Sequence, residues 1–195
     1  MGTEDAEYAE RLLRKQTVWW KQALRVQAPY QWNLRRQGLG PTLDVGCGIG
    51  RNLESLPHGS LGVDHNGDSV RLAREFGHSV MTVDEFMSSG RAAERAFSSL
   101  LFAHVIEHLD YEEALAILKS YLPYATVGGQ VMFVCPQERG YASDPTHVRF
   151  YDFDNLESLA RAAGLEPLRS WSFPFPRALG KAFIYNEFCV IASIP

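Results

Sequence analysis

The amino-acid sequence predicts an α/β fold in which a doubly wound, mostly parallel sheet of seven strands carries helices on both faces. Two observations support this prediction. A short apolar strand, Thr42 to Val45, runs directly into a glycine-rich turn, and Leu53 and Leu56 follow at helical spacing. This order of strand, glycine loop and helix is the first unit of a nucleotide-binding α/β domain. Further apolar strand-like runs then alternate with amphipathic segments along the chain, as they do in parallel sheets with helical crossovers.

Length and composition fit one packed domain. The chain has 195 residues, of which 46% are hydrophobic and 12% aromatic, so a sizeable core can form. We place this domain at residues 41–195 and expect an N-terminal helical arm at residues 1–40. The formal net charge of −4 argues against a dedicated nucleic-acid binder, which carries a basic surplus.

The arm is expected to be helical because its apolar residues recur at three- and four-residue steps. Pro29 suits the first turn of a second helix, which Gly38 and Gly40 end. Either the aromatic residues pack the arm onto the domain, or Tyr30, Trp32 or Arg35 covers a ligand. The aromatic cluster comprises Trp19, Trp20, Tyr30 and Trp32.

The three cysteines are widely spaced and match neither a disulfide framework nor a zinc knuckle. Cys135 and Cys189 lie in apolar runs, so we expect buried thiols. The sequence shows no membrane span and no signal-peptide core. These features together predict a cytoplasmic protein.

The loop after the first strand has the pattern G-x-G-x-G, at Gly46, Gly48 and Gly50, with Asn52 near the place of a further glycine. A pyrophosphate site prefers G-x-G-x-x-G and no negative charge beside the phosphates. Asp44 would repel a diphosphate but would attract an ammonium or a sulfonium. S-adenosylmethionine carries both of these cations and no phosphate.

Residues 44–50, D-V-G-C-G-I-G, resemble motif I of the class I (Rossmann-like) S-adenosylmethionine-dependent methyltransferases, of the small-molecule, quinone and sugar O-methyltransferase type. The resemblance covers Thr42 to Ala192. It implies that the seventh strand, Phe188 to Ala192, is antiparallel. It also implies that S-adenosylmethionine is the methyl donor and S-adenosylhomocysteine the product.

Asp64 ends the second strand, twenty residues after Asp44. An acid at this place can accept hydrogen bonds from both ribose hydroxyls, each worth roughly 1.5–3 kcal/mol. The alternative is that Asp64 caps the following helix, Ser69 to Phe76. We favour the ribose because of the spacing from the glycines.

The resemblance implies further cofactor contacts at the end of the third strand, Ser79 to Asp84. In the family, an acidic side chain there accepts a hydrogen bond from the adenine amino group, and the backbone amide of the next residue contacts the edge of the ring. The corresponding residues here are Asp84 and Glu85, with Phe86 packed against the ring. The predicted cofactor-binding residues are Asp44, Gly46, Cys47, Gly48, Gly50, Asn52, Asp64, His65, Asp84, Glu85, Phe86, Ala103 and His104.

The fourth strand, Phe97 to Ala103, leads into a segment that begins H-V-I-E-H. This string matches the H-x-x-E-H pattern of inverted zinc peptidases, which needs a long helix, but a segment directly after a strand favours the methyltransferase. The resemblance implies that His104 lies near the methionine end of the cofactor, and that Glu107 and His108 face the acceptor or make a structural hydrogen bond. Some related quinol O-methyltransferases bind a divalent ion near this segment, but we assign no metal ligand from the sequence.

A polar segment, residues 137–151, follows the fifth strand, Val131 to Cys135. It contains His147, our first choice for a general base because imidazole titrates near neutrality. His104 and His108 are the other candidates, and the alternative for His147 is a hydrogen bond that fixes the loop.

The predicted function is methyl transfer to a small-molecule, glycan or lipid-linked acceptor, at oxygen, by a monomer or homodimer with no nucleic-acid partner. The asparagine-proline-proline-tyrosine motif of base and glutamine N-methyltransferases is absent, and Cys135-Pro136-Gln137 stands near its place. Two alternatives remain: a non-catalytic S-adenosylmethionine-binding or regulatory protein, and an NAD-dependent oxidoreductase. Asp44 and the missing G-x-G-x-x-G argue against the oxidoreductase.

Overall fold

The computed structural model describes residues 27–195. The chain divides into two compact units, one ending at Ala92 and one running from Ala93 to Pro195. Trp19, Trp20 and the first helix predicted for the arm lie outside the described residues. Its second helix is present as α1 (Ala28–Arg35), with a proline in the first turn as predicted.

The described part of the first unit, from residue 27 onward, contains three strands and two further helices. The strands are parallel, with β2 between β1 and β3. Asn66 caps the first of the two helices, because its side-chain oxygen accepts a hydrogen bond from the amide of Ser69 at 2.9 Å. The elements are β1 (Thr42–Val45), β2 (Leu61–Asp64), α2 (Gly67–Glu75), β3 (Val80–Thr82) and α3 (Val83–Ser88).

The α-helix predicted directly after the glycine loop is absent, so this part of the sequence prediction is wrong. The loop leads only into a single 3-10 turn, Leu53–Ser55. Leu56 is extended, with φ −88° and ψ 151°, because the residue before a proline, here Pro57, disfavours the α conformation.

The third strand is shorter than predicted and ends at Thr82. The Thr82 hydroxyl accepts a hydrogen bond from the amide of Glu85, and the Glu85 carboxylate accepts one from the amide of Thr82, which makes a capping box for α3. Asp84, Glu85 and Phe86 therefore belong to a helix rather than to the end of a strand.

The second unit contains four strands. β4 and β5 are parallel, and β7 is antiparallel to both β5 and β6, as predicted for the last strand. The seven strands make one sheet in the order β3-β2-β1-β4-β5-β7-β6, which confirms the predicted fold class. The strands are β4 (Phe97–Ala103), β5 (Ala125–Pro136), β6 (Glu166–Phe173) and β7 (Glu187–Ser193).

Three helices complete the second unit. Two of them have aspartate caps: Asp110 accepts the amide of Glu113 and Asp152 accepts the amide of Asn155. The helices are α4 (Tyr111–Tyr121), α5 (Glu138–Tyr141) and α6 (Phe153–Ala162). No helix among residues 27–195 is long and apolar enough to cross a bilayer.

The core is built on strands covered on both faces. Leu100, Leu101 and Phe102 are consecutive in β4 and all fully buried, and successive strand residues point to opposite faces. The thiols of Cys135 and Cys189 are buried as predicted. This packing holds the carboxyl end of β4 firmly where the polar segment from His104 begins.

Candidate functional site

The glycine loop after β1 has the backbone conformation that its sequence predicts. Gly46, Gly48 and Gly50 have φ of 72°, 54° and 83°. These values lie in the left-handed region that residues with a side chain rarely adopt. At Gly50 a Cβ would also lie 2.6 Å from the ring of His78, so the loop has no room for a larger residue there.

Four backbone amides of this loop donate hydrogen bonds within the protein. Those of Gly46 and Cys47 both donate to the carbonyl of Val63, at 2.8 and 3.1 Å. The amide of Gly50 donates to the carbonyl of Cys47 at 3.0 Å, and that of Gly48 donates to the carboxylate of Asp64 at 2.7 Å. A phosphate cradle needs amides that point at the ligand, so this loop is poorly suited to a pyrophosphate.

Asp44 lies in β1, two residues before the loop, and is fully buried. Neither carboxylate oxygen has a hydrogen-bond partner among the described residues. Burial raises the pKa of Asp44 to about 7; the Asn52 side chain and the charge of Arg51 lower it, and the charge of Asp64 adds to the rise. A buried carboxylate without a partner is costly, and a cationic ligand group would relieve that cost.

Asp64 ends β2 with only 7% of its surface exposed. Its Oδ2 accepts the amide of Gly48 and its Oδ1 accepts the amide of Asn66 at 2.8 Å. Because Asn66 caps α2, the alternative role of Asp64 as the helix cap is wrong. A carboxylate has about four acceptor positions, so Asp64 can still receive hydroxyl donors. The ring of His65 is exposed, with its Nδ1 3.6 Å from Asp64 Oδ1.

In the second unit, His104 follows the last residue of β4, the half-buried Ala103. It has φ 59°, a strained value for a residue with a side chain and one that often marks a functional site. Its Nε2 lies 2.9 Å from Oε1 of Glu187, and its Nδ1 lies 3.3 Å from Oε1 of Glu107. The imidazole is therefore held between two carboxylates.

The surroundings of His104 keep it protonated. Desolvation by itself lowers the pKa of the imidazole, but the hydrogen bonds and charges of Glu107 and Glu187 outweigh that effect and raise the pKa to about 10. An imidazolium has no lone pair with which to accept a proton. This pairing with two carboxylates disfavours His104 as a general base, and its place beside the cofactor stays a prediction.

His108 and His147 differ from His104, because their Nδ1 atoms bind backbone carbonyls and not carboxylates. The Nδ1 atom of His147 lies 2.8 Å from the carbonyl of Tyr141, and that of His108 lies 3.1 Å from the carbonyl of Thr146. An imidazole that donates from Nδ1 keeps its lone pair on Nε2. The hydrogen bond of His147 is thus the loop-fixing bond named as an alternative, and it leaves Nε2 available. Burial lowers the pKa of His108, which favours its neutral form.

Glu107 connects these histidines. Its side chain is 1% exposed; Oε1 is paired with His104, and Oε2 has no hydrogen-bond partner among the described residues. Its Oε1 lies 4.0 Å from Nε2 of His147. Glu107, His108 and His147 each offer one ligand atom, and these atoms all lie within 4.8 Å of one another. Two half-buried imidazoles and one buried carboxylate in this arrangement can bind a proton or a metal cation.

No family model matches this chain, and no curated protein matches it. The solved structures, in contrast, include clear matches. A methyltransferase from Archaeoglobus fulgidus that depends on S-adenosylmethionine is 19% identical, with a TM-score of 0.65 over 84% of this chain and 92% of that chain. This chain has the fold of the S-adenosylmethionine-dependent methyltransferases.

Two further structures show how widely this methyltransferase fold is used. The magnesium protoporphyrin IX methyltransferase of Synechocystis, solved with bound S-adenosylmethionine, is 16% identical, with a TM-score of 0.61 over 87% of this chain and 82% of that chain. The cyclase SpnF is 18% identical, with a TM-score of 0.62 over 85% of this chain and 80% of that chain. At these identities the likeness establishes the fold, and the reaction must be argued from the site.

Some of the predicted cofactor-binding residues are buried or bonded within the protein and are not available to a ligand. Phe86 is fully buried, which contradicts its expected place against an adenine ring. The amide and carboxylate of Glu85 are engaged in the capping box, and its carboxylate also binds Arg74 at 2.5 Å. The Cys47 side chain packs in the core beside Val70. Asp84 is exposed, so its predicted contact with adenine stays a prediction.

Sequence reasoning missed Glu187 and the grouping of Glu107 with His147. The amides of Val148 and Arg149 both donate to the carbonyl of Glu107, at 2.8 and 3.2 Å, which ties the polar segment to the turn after β4. That turn is a 3-10 turn, Ile106–His108, so the long helix required by the zinc-peptidase pattern is absent at these residues. The apolar residues around Glu107 in the sequence indicated that its side chain could be buried. They did not indicate its partners, which come from distant segments.

Proposed function

We propose that this protein transfers a methyl group from S-adenosylmethionine to the hydroxyl of a small-molecule, glycan or lipid-linked acceptor. The observation that carries the proposal is Asp44, a fully buried carboxylate without a hydrogen-bond partner among the described residues, beside a left-handed glycine loop. Such a carboxylate favours a ligand with a positive charge. The shared fold with methyltransferases supports the same ligand.

Two features of the loop disfavour a dinucleotide. The amides of Gly46, Cys47, Gly48 and Gly50 are bonded within the protein, so a pyrophosphate would find few donors. The residues after the loop form one 3-10 turn rather than a helix, so the positive end of a helix dipole is missing there. Both features are compatible with a ligand that has no phosphate.

We assign the cofactor contacts as follows. Asp44 faces the cationic methionine part, and Asp64 accepts hydrogen bonds from the ribose hydroxyls while its bond to Gly48 keeps the loop in place. His65 and Asp84 have exposed side chains and complete the polar surroundings of the nucleoside.

S-adenosylmethionine supplies an electrophilic methyl group and becomes S-adenosylhomocysteine. The main work of the protein is to hold the acceptor oxygen in line with that group, since orientation alone can account for a large part of the rate. A hydroxyl must also lose its proton. His108 and His147, whose Nε2 atoms keep their lone pairs, are the proposed groups that handle this proton, in place of the cationic His104.

Calorimetric titration tests the cofactor. We expect the protein to bind S-adenosylmethionine and S-adenosylhomocysteine and not to bind NAD. Asp44→Asn should weaken S-adenosylmethionine binding at least tenfold, because it removes the charge that pairs with the ligand. Asp68→Asn is the matched control, since the Asp68 side chain is 47% exposed on α2. Tight NAD binding without S-adenosylmethionine binding would overturn the proposal.

Transfer itself is tested with a radiolabelled methyl donor and cell extracts separated into polar, lipid and macromolecular fractions. Label should enter a small-molecule, glycan or lipid fraction and should resist mild base, as an ether does and a carboxylate ester does not. A protein that binds the donor yet labels no fraction would instead be a binding or regulatory protein.

A further inference from the structure

We propose that Glu107, His108 and His147 form a binding site for one divalent transition-metal ion. The site lies within the second unit, in the turn after β4 and in the polar segment that follows β5. Metal binding by these residues does not depend on the proposed function, but the role we give to the ion does rest on it.

The chemistry of the ligand set supports a metal. Two imidazole nitrogens and one carboxylate oxygen are a common three-residue set for catalytic zinc, with a position left open for water or substrate. Here the three ligand atoms lie within 4.8 Å of one another, and Glu107 Oε1 and His147 Nε2 are 4.0 Å apart. Ligands of a tetrahedral zinc ion lie about 3.3 Å apart, so the side chains need to close in by about 1 Å.

The second observation is the state of Glu107. Its carboxylate is fully buried; Oε1 is paired with the ring of His104, and Oε2 has no hydrogen-bond partner among the described residues. The two nearest cationic or polar rings are those of His104, at 3.3 Å, and His147. A buried carboxylate left in this state is costly, whereas direct bonding to a divalent cation would compensate for its desolvation.

In both histidines, the ring nitrogen that would not bind the metal makes the hydrogen bond that is typical of a metal-binding histidine. A metal-binding histidine usually donates its other ring nitrogen to a carbonyl or carboxylate, which fixes its tautomer and orientation. His147 donates to Tyr141 and stacks on its ring at a centroid distance of 5.2 Å. His108 donates to the carbonyl of Thr146. Both Nε2 atoms are therefore oriented in advance of binding.

Within the proposed reaction the ion would activate the acceptor. An acceptor hydroxyl at the open position becomes more acidic, as metal-bound water does. With the ion bound, the Nε2 atoms of His108 and His147 are ligands and take no proton themselves, so they act on the acceptor through the ion: the O–H bond breaks and its proton passes to solvent. The oxygen then bonds to the methyl carbon as the sulfur–methyl bond breaks, and the electron pair stays on sulfur. The products are a methyl ether, S-adenosylhomocysteine and one proton, so no oxidant or reductant is required.

Equilibrium dialysis of the chelator-treated protein with Zn²⁺ tests the site, and Co²⁺ absorption reports its geometry. We expect one ion per chain, and an affinity at least tenfold weaker in His108→Gln and in His147→Gln. Glu107→Gln should have the same effect, but its burial makes its folding less certain, so the two histidine variants decide. His58→Gln removes an exposed histidine elsewhere and should leave binding unchanged.

Stoichiometric binding that survives in both histidine variants would overturn the site, and so would the absence of binding in the wild-type protein. S-adenosylmethionine binding is measured on the same samples. Metal binding without cofactor binding would refute the proposed function and leave the metal site intact, whereas cofactor binding without metal binding would do the reverse.

Discussion

The carboxylate of Asp64 accepts a hydrogen bond from the amide of Gly48 at 2.7 Å. One residue at the end of β2 therefore shapes the glycine loop and also stands where a ribose is expected. This dual position means that removing the carboxylate and merely neutralising it should have different consequences.

Asp64→Ala should weaken the affinity for S-adenosylmethionine about tenfold or more, because it removes a charged acceptor and releases the loop amide. Asp64→Asn keeps one carbonyl oxygen that can accept the Gly48 amide, so it should lower the melting temperature less than the alanine variant does. Calorimetric titration and thermal melts of both variants check this. An unchanged dissociation constant in folded Asp64→Ala would show that the ribose lies elsewhere.

Asp44 should make the ligand-free protein less stable at neutral pH. The pKa of Asp44 is about 7 when folded and 3.8 in its unperturbed state, so the folded chain holds a proton that the unfolded chain has lost. The free energy of unfolding therefore falls as pH rises from about 4 to about 7, by up to about 4 kcal/mol from this group.

Asp44→Asn should remove that pH-dependent loss. We expect its free energy of unfolding above pH 7 to exceed the wild-type value by about 1–3 kcal/mol, with part of the gain offset by the buried amide. Near pH 4 the two proteins should match. Denaturant titrations at both pH values measure this, with Asp68→Asn as the exposed control. A less stable Asp44→Asn variant at high pH would contradict the account of Asp44.

Binding of S-adenosylmethionine should depend on pH through the same carboxyl group. Because the cationic ligand needs Asp44 ionised and its pKa is about 7, affinity should fall as pH is lowered below that value. The limiting slope is about tenfold per pH unit. Calorimetric titrations from about pH 7 to about pH 6 check the slope, and Asp44→Asn should abolish it. The same slope in that variant would assign the titration to another group.

Gly50 should tolerate no side chain. Gly50→Ala places a Cβ 2.6 Å from the His78 ring at φ 83°, so we expect a loss of about 1–3 kcal/mol in the free energy of unfolding. Gly67→Ala is the matched control, because it adds the same methyl group in open space at the start of α2. It should be neutral or stabilising by up to about 1 kcal/mol. Equal losses in both variants would refute the steric argument.

Several features were predictable because their causes are local in the chain. The caps Asp110 and Asp152 lie three residues before the amides that they accept, and the left-handed loop follows from its own glycines. The 3-10 turn in place of a helix was also predictable, since Pro57 directly follows Leu56. The error there was to rely on leucine spacing rather than on the proline.

Other features depend on contacts between distant segments. His104 reads from sequence as a candidate base, but Glu187, far along the chain in β7, makes it a cation. Phe86 follows a strand end, yet packing removes its ring from any ligand. Spacing in the sequence shows neither outcome, because a pKa and a buried surface depend on every neighbour in space.

The sequence by itself determined the α/β fold class, since this follows from short patterns of neighbouring residues. Its resemblance to the methyltransferases implied the antiparallel last strand, and Asp44 beside the glycines predicts a cationic ligand. Only the tertiary structure decided which acidic and imidazole groups act together. It brings Glu107 within 4.0 Å of His147 by hydrogen bonds between two separated segments and leaves the carboxylate buried. The physical reason is that burial and charge pairing act through space and not along the chain.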